Sequence, residues 1–409
     1  MNSLKYLRKT EFGRIILTTF YRLSIVLFVR LAQNLEIRKS ATMEEKNKSS
    51  QPDIFYKVDV VVIGAGQAGL SAAYYLKKAG LEPGRGFVVL DDEFGPGGAW
   101  QHRWNSLTLS TVNGINDLPG MSFSEAVDTN DADLQANVAI PQYYEKYEKT
   151  FQLPVIRPVR VHEVSERNGR FFIRTNGVQF SARGLVNATG TWKTPRCPHY
   201  PGWEKFRGRQ LHTAEYKNAS EFRGMHVLIV GGGISAIQLL GEISELTRTT
   251  WVTRRAPAFR NYEFTPERGR EAVALVEQRV REGLPPESVV SVTGLPLTPY
   301  IRRLMDNGIL DRKPMFKEIT ETGVKWADGS TLEVDVIFWN TGFTHSLDHL
   351  APLNLKNEKG GITMTGKLAT QVAKDPRIHL TGYGPTASTI GANRAGRVAV
   401  RELLAALKA

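Results

Sequence analysis

Two short runs in this 409-residue chain have the spacing needed to hold a diphosphate. They are Gly64-Ala65-Gly66-Gln67-Ala68-Gly69 and Gly231-Gly232-Gly233-Ile234-Ser235-Ala236, 167 residues apart. The first glycine of such a run permits a tight turn, and the second lets backbone approach phosphate oxygens. The small sixth residue lets a helix lie close to a strand. Free N–H groups in the helix's first turn then face the anion. One such run is a weak signal. Two in one chain point to two bound dinucleotides.

The residues after each run separate the two ligands. The segment Phe87 to Leu90 ends in Asp91-Asp92, where a carboxylate can accept from both ribose hydroxyls of an adenosine lacking a 2′-phosphate. The segment Thr250 to Thr253 ends in Arg254-Arg255, and two guanidiniums suit a 2′-phosphate. FAD in the first site and NADPH in the second is the economical assignment.

Elements of fixed type must carry these turns. Val58 to Ile63 reads as a buried strand, and Leu70 to Ala79 as a helix stopped by Gly80. His226 to Val230 and Ile237 to Leu246 repeat that order around the second run. The predicted class is α/β, with two Rossmann-like dinucleotide-binding domains and the NADPH domain inserted into the FAD domain. The expected parts are a tail over 1–50, FAD-domain segments over 51–200 and 325–409, and an NADPH domain over 201–324. Inside the insert, Thr265-Pro266 predicts a helix start, and Gly283 a stop after about Glu282. That helix and the loop through Met315 are read as packing first and cleft wall second.

Composition narrows the chemistry. Hydrophobic residues at 41% and charged residues at 23% exclude wholesale disorder. A single cysteine, Cys197, excludes a disulfide framework, a Cys-rich zinc site and a dithiol pair within the chain. No Ser-His-Asp order stands out, and His345 with His349 is not read as a metal site. Lys and Arg outnumber Asp and Glu by 53 to 41, a net +12. Half of that excess, ten bases against four acids, lies in residues 1–50. The other +6 is accounted for by two polyanionic dinucleotides, and no groove-reading motif points to nucleic acid.

Ile15 to Leu31 is the most apolar stretch and contains Arg22 and Arg30. A membrane helix wants about 18 or more apolar residues, and a central Arg costs about 2.5–3.5 kcal/mol. Three readings stand: a dispensable extension ahead of Met43, a basic interfacial helix, and a true span. The expected location is cytoplasmic, with membrane contact only through residues 1–50. Oligomeric state is not legible.

The run Phe206-Arg207-Gly208-Arg209-Gln210-Leu211-His212-Thr213-Ala214-Glu215-Tyr216-Lys217 fits F-x-G-x-x-x-H-x-x-x-Y-K at every specified position. With the paired turns, it makes the chain resemble the flavin-containing monooxygenase family over roughly residues 58–400. Related Baeyer–Villiger enzymes end that motif in Trp. Further pieces resemble the family in order: Gly97-Gly98-Ala99-Trp100, Asn187-Ala188-Thr189-Gly190, Asn340-Thr341-Gly342-Phe343 with Asn in place of Ala, and Leu380-Thr381-Gly382-Tyr383-Gly384. One departure lies at about Ser110, where members tend to carry Asn near the reactive flavin edge.

The expected cofactor-binding set is therefore Gly64, Gly66, Gln67, Ala68, Gly69, Asp91, Asp92, Gly98, Trp100, Val161, Ala188, Thr189 and Gly190 in the first lobe. Gly231, Gly233, Ser235, Ala236, Arg254 and Arg255 follow in the second, with His212, Gly342 and Gly382 from the family segments. His212 is open to a second reading as an internally satisfied core histidine. No catalytic side chain or metal ligand is assigned. The resemblance implies an NADPH-dependent FAD monooxygenase that passes one oxygen of O2, through a flavin peroxide, to a small nitrogen, sulfur or carbonyl substrate. Two alternatives stand: a flavoprotein reductase or oxidase that oxygenates nothing, and a redox-state sensor.

Overall fold

Val60, Val61, Val62 and Ile63 are buried without exception, as a β-branched strand covered on both faces must be. This strand lies between parallel neighbours Gly184–Asn187 and Phe87–Leu90. The sheet has seven strands in the order Met364–Thr365, Gln371–Val372, Asp375–Leu380, Gly184–Asn187, Val60–Ile63, Phe87–Leu90 and Val155–Ile156. The computed structural model describes residues 55–112, 114–261, 266–287 and 294–409, with backbone alone at 266–269, 389 and 390. The apolar stretch Ile15 to Leu31 and the cap expected at Thr265 lie outside the described residues. No helix among the described residues is long and apolar enough to cross a membrane.

The second lobe repeats the plan. Its five strands are all parallel, in the order Arg312–Pro314, Arg248–Thr253, His226–Val230, Val336–Trp339 and Arg209–His212. An expected domain boundary at 324/325 therefore falls short. The strand Val336–Trp339 sits in the middle of the second sheet, and the chain returns to the first lobe only after it. Its apolar run does not say which sheet it joins, because both sheets bury their strands on two faces.

The turn geometry follows from missing side chains. Gly64 has φ +97°, and a Cβ there would stand 2.5 Å from the Ala188 carbonyl oxygen. Gly231, with φ +140°, meets the Asn340 carbonyl oxygen at 2.1 Å in the same way. Ala188 and Asn340 each follow the last residue of the neighbouring parallel strand. Asn340 also ties that strand down, accepting from Thr213 Oγ1 at 2.9 Å. The helix Gln67–Lys78 then runs back along the first sheet, so close that a Cβ on Gly69 would lie 1.8 Å from the Gly64 carbonyl oxygen. In the second lobe, helix Ile234–Ser244 presents fully buried Ala236 at the corresponding place.

A third contact sets the far wall of the first lobe. Helix Thr389–Ala406 packs on helix Gln67–Lys78, and a Cβ at Gly396 would lie 2.4 Å from Ser71 Oγ. Ser388 caps the later helix by accepting from the Gly391 N–H at 3.0 Å. Helix Pro266–Arg281 ends just before Gly283, whose φ is +72°. Val280 near its end is fully buried in the first lobe's core, where Gly384 lies against it. The insert is thus braced onto the first lobe by this helix.

Gly69→Ala is expected to destabilise the chain by about 1–3 kcal/mol through overpacking. Gly66→Ala is the matched control, because no protein atom lies within 4 Å of the added carbon. Thermal melts of the two flavin-free variants should show a lowered midpoint for the first and a parental one for the second.

Candidate dinucleotide site

A cavity of about 620 Å3 opens at the carboxyl ends of the first sheet's parallel strands, the place where such sheets take ligands. Gly64, Gly66, Gln67, Ala68, Asp91, Asp92, Gly98, Trp100, Val161, Ala188, Thr189, Gly190 and Gly382 all line it. Gly69 stands behind the turn as a packing residue. Gly66 is the open point: space beyond its Cα is free of protein, and behind it a Cβ added to Gly98 would stand 3.0 Å from the Gly66 Cα. The helix starting at Gln67 points its first N–H groups at that space. Ala387 and Ser388, at the start of the 389–406 helix, also face the cavity. Two helix N-termini on one cavity favour an anion there. These features fit the diphosphate of FAD.

Asp91 is buried, at 6% exposure. Its Oδ2 accepts from Arg157 Nε at 2.6 Å, while the two terminal nitrogens of Arg157 fork onto Glu148 at 2.7 Å each. Asp91 also takes a backbone N–H from Ala65. Burial pushes its carboxyl above the usual range, opposed by the Arg157 guanidinium and the Ala65 N–H. The carboxylate is thereby clamped against the turn, with lone pairs left for ribose hydroxyls. Asp92 differs: its Oδ1 pairs with Lys193 Nζ at 2.6 Å. The same Lys193 reaches Glu93 at 2.7 Å, and His102 reaches Glu93 at 2.9 Å. Burial would raise Glu93, but the hydrogen bonds from Lys193 and His102 outweigh it and hold the carboxyl below the usual range.

Sequence reasoning missed Arg157, Glu148 and Lys193. A salt-bridge partner brought from another element leaves no local spacing signal. It also missed His349 on the cavity wall. His349 Nε2 donates to Asn187 Oδ1 at 2.7 Å, Asn187 Nδ2 donates to Thr189 Oγ1 at 3.0 Å, and Thr189 Oγ1 donates to the Ser346 carbonyl at 2.7 Å. Burial pushes the His349 pKa down to about 4, so the ring is neutral.

The second turn has the same layout. A Cβ on Gly233 meets nothing within 4 Å, Ser235 is half-buried and Ala236 is buried. Arg254 and Arg255 follow the strand Arg248–Thr253 and are exposed, without a side-chain partner among the described residues. Arg312 joins them from the neighbouring strand, donating to the Thr253 carbonyl at 3.0 Å.

His212 and Gly342 do not line the cavity. Nδ1 of His212 accepts from the Ala214 N–H at 3.2 Å, so Nε2 carries the proton and donates to the Gly342 carbonyl at 3.0 Å. Burial pulls the ring's pKa below its usual value. Both nitrogens are committed, so the geometry matches the core-histidine reading rather than nucleotide contact. Its ring meets Phe343, a cavity-wall residue, edge-on at 4.9 Å. The rest of the fingerprint is also a joint. Tyr216 donates to Glu242 Oε1 at 2.7 Å, and Ser106 of the first lobe donates to Glu242 Oε2 at 2.7 Å. Ser110 is exposed, bonds Thr108 at 2.8 Å and is not on the cavity wall.

Gly66→Leu should fold, since its side chain enters ligand space rather than protein. The purified variant should melt like the flavin-free parent and lack visible flavin absorbance; a yellow, fully loaded preparation would refute the assignment of this turn.

A family model described as pyridine nucleotide-disulphide oxidoreductase matches residues 61–382. The chain is 30% identical over 335 residues to an uncharacterized oxidoreductase, CzcO, of Bacillus subtilis, covering 80% of this chain and 89% of that one. It superposes on a flavin-containing monooxygenase from Stenotrophomonas maltophilia with a TM-score of 0.70 and 35% identity, covering 85% of this chain and 98% of that one. A bacillithiol disulfide reductase from Staphylococcus aureus shares the fold at 19% identity and a TM-score of 0.59, over 86% of this chain and 99% of that one. Two glycine turns, each between parallel strands of its own sheet, one clamped acid after the first and these likenesses converge: the chain belongs to the pyridine nucleotide-disulphide oxidoreductase family, within its flavin-containing monooxygenase group of FAD- and NADPH-using oxidoreductases.

Proposed function

We propose that this protein is an NADPH-dependent monooxygenase that transfers one oxygen atom of O2 to a small nitrogen- or sulfur-containing or carbonyl substrate. The second oxygen leaves as water with the two electrons of NADPH. One observation carries the reading over a disulfide-reducing role. A dithiol relay needs two cysteines, and this chain has only Cys197, which is exposed and does not line the cavity. Electrons received from a nicotinamide therefore leave the flavin only toward a diffusible acceptor, and O2 is such an acceptor. FAD bound in the cavity supplies the hydride acceptance and the oxygen activation.

The chain's own residues bind, orient and shield. The Gly64–Gly69 turn and the two helix starts hold the diphosphate, while Asp91, held by Arg157, takes the ribose. Trp192 stacks on Phe343 at 5.0 Å, forming an apolar layer at the lobe junction beside the cavity. Such a layer keeps water from the reacting centre. Arg254 and Arg255, exposed beyond the second turn, favour NADPH over NADH through the 2′-phosphate.

Product stoichiometry tests the proposal. With amine, sulfide or ketone panels, NADPH oxidation should yield oxygenated product with little H2O2; H2O2 matching all NADPH consumed, with no product, would establish the oxidase reading instead. Separately, the double variant Arg254→Ala/Arg255→Ala should raise KM for NADPH by about 10- to 100-fold, as expected for lost charge-assisted hydrogen bonds, and leave NADH nearly unchanged. Equal losses for both cofactors would remove the 2′-phosphate role.

A further inference from the structure

Arg103 is a cavity cation without a counterion among the described residues. It follows the 3-10 turn Gly98–His102, and its backbone N–H bonds the Trp100 carbonyl at 3.1 Å. Its guanidinium carbon sits 4.4 Å from the Trp192 ring centroid, 5.6 Å from Trp100 and 5.9 Å from Trp104. Nε is sealed from solvent with no hydrogen-bond partner. Among the described residues no carboxylate pairs with it: Asp91 is held by Arg157, Asp92 by Lys193, and Glu93 by Lys193 and His102. Burial alone pulls its pKa down to about 10.

Ring faces attract a cation, but more weakly than burial penalises it. The arrangement is therefore incomplete in the protein by itself, and Arg103 lines the cavity. The turn that positions it starts at Gly98, which lies so close to Gly66 that an added Cβ would stand 3.0 Å from the Gly66 Cα. Five residues of 3-10 backbone at about 2 Å each put the Arg103 backbone within roughly 10 Å of Gly98, on the cavity wall beside that open glycine. Guanidinium is the side chain whose fork matches phosphate oxygens.

We propose that Arg103 is a phosphate-binding residue that takes a diphosphate oxygen of the dinucleotide at this junction, FAD in the first instance, with Trp100, Trp104 and Trp192 holding its guanidinium ready. The other source of the same chemistry is the nicotinamide dinucleotide, because Trp192 reaches Phe343 and Trp104 reaches Tyr216 at the lobe joint. The inference rests on dinucleotide binding and is independent of what the reduced flavin does with O2.

Arg103→Met and Arg103→Lys test it in the full chain. Flavin-free protein is titrated with FAD and with riboflavin, which has the ring system but no phosphate. For Arg103→Met, Kd for FAD should rise about 10- to 100-fold, with riboflavin unchanged and Arg103→Lys intermediate. Flavin-free Arg103→Met should melt at or above the parental temperature, because an unpaired, half-buried charge has been removed. Unchanged FAD affinity with equally weakened NADPH and NADH would keep the phosphate role and assign it to the nicotinamide dinucleotide. A lowered flavin-free melting temperature with parental nucleotide affinities, or equal losses of FAD and riboflavin, would make Arg103 a packing pillar and overturn the proposal.

Discussion

A carbonyl oxygen fills the place where a Cβ would be at Gly64, and again at Gly231. Everything at the two sites depends on that close passage. With any side chain there, the turn would lift off the neighbouring strand end, and the following helix would lose its seat. In the first lobe the constraint repeats one turn later, where Gly69 meets the Gly64 carbonyl. The helix can then aim its first N–H groups into the cavity rather than along its wall. The same economy of side chain at Gly396 brings the 389–406 helix alongside, so that its N-terminus borders the same space.

Local turns need a long-range frame to work as a pair. The frame here is a set of joints rather than a shared sheet. Glu242 takes one hydroxyl from each lobe, His212 donates to Gly342 on the returning chain, and Val280 enters the first lobe's core. The fingerprint segment supplies two of these joints. Its residues look chemical by type, a histidine and a tyrosine at set spacing, yet their polar atoms are consumed by the protein. What they secure is the register of one nucleotide lobe against the other, on which hydride transfer between two bound rings depends.

The legible part of this molecule is what lies close together in the chain. Strand, glycine run and helix follow one another within about twenty residues around Gly64 and around Gly231, so spacing alone reports them. Asp91 was legible for the same reason, as the acid ending the next strand. Its partner Arg157 was not, because it arrives from 66 residues away and pairs with Glu148 by its other side. Val336–Trp339 shows the limit for fold: its residues say buried strand, but only pairing on both sides to His226–Val230 and Arg209–His212 says which sheet. His212 shows the limit for sites, since a histidine's two nitrogens cannot be counted as free or spent without their neighbours.

Charge placement carries the functional argument one step beyond the turns. The acids of the first cavity are balanced within the protein where they lie deep: Asp91 against Arg157, and Asp92 and Glu93 against Lys193. Balanced acids do not repel an incoming diphosphate as free ones would, and Asp91 keeps acceptor capacity for ribose. Net positive character is left to helix starts and to guanidiniums with no carboxylate partner among the described residues, Arg103 in the first lobe and Arg254 and Arg255 in the second. The +6 excess of residues 51–409 is thus a poor guide by its size and a good one by its position. Cations beside the first turn and after the second sit where the proposed roles would have them read two anionic groups in two places, and a diffuse basic surface for nucleic acid would not need them there.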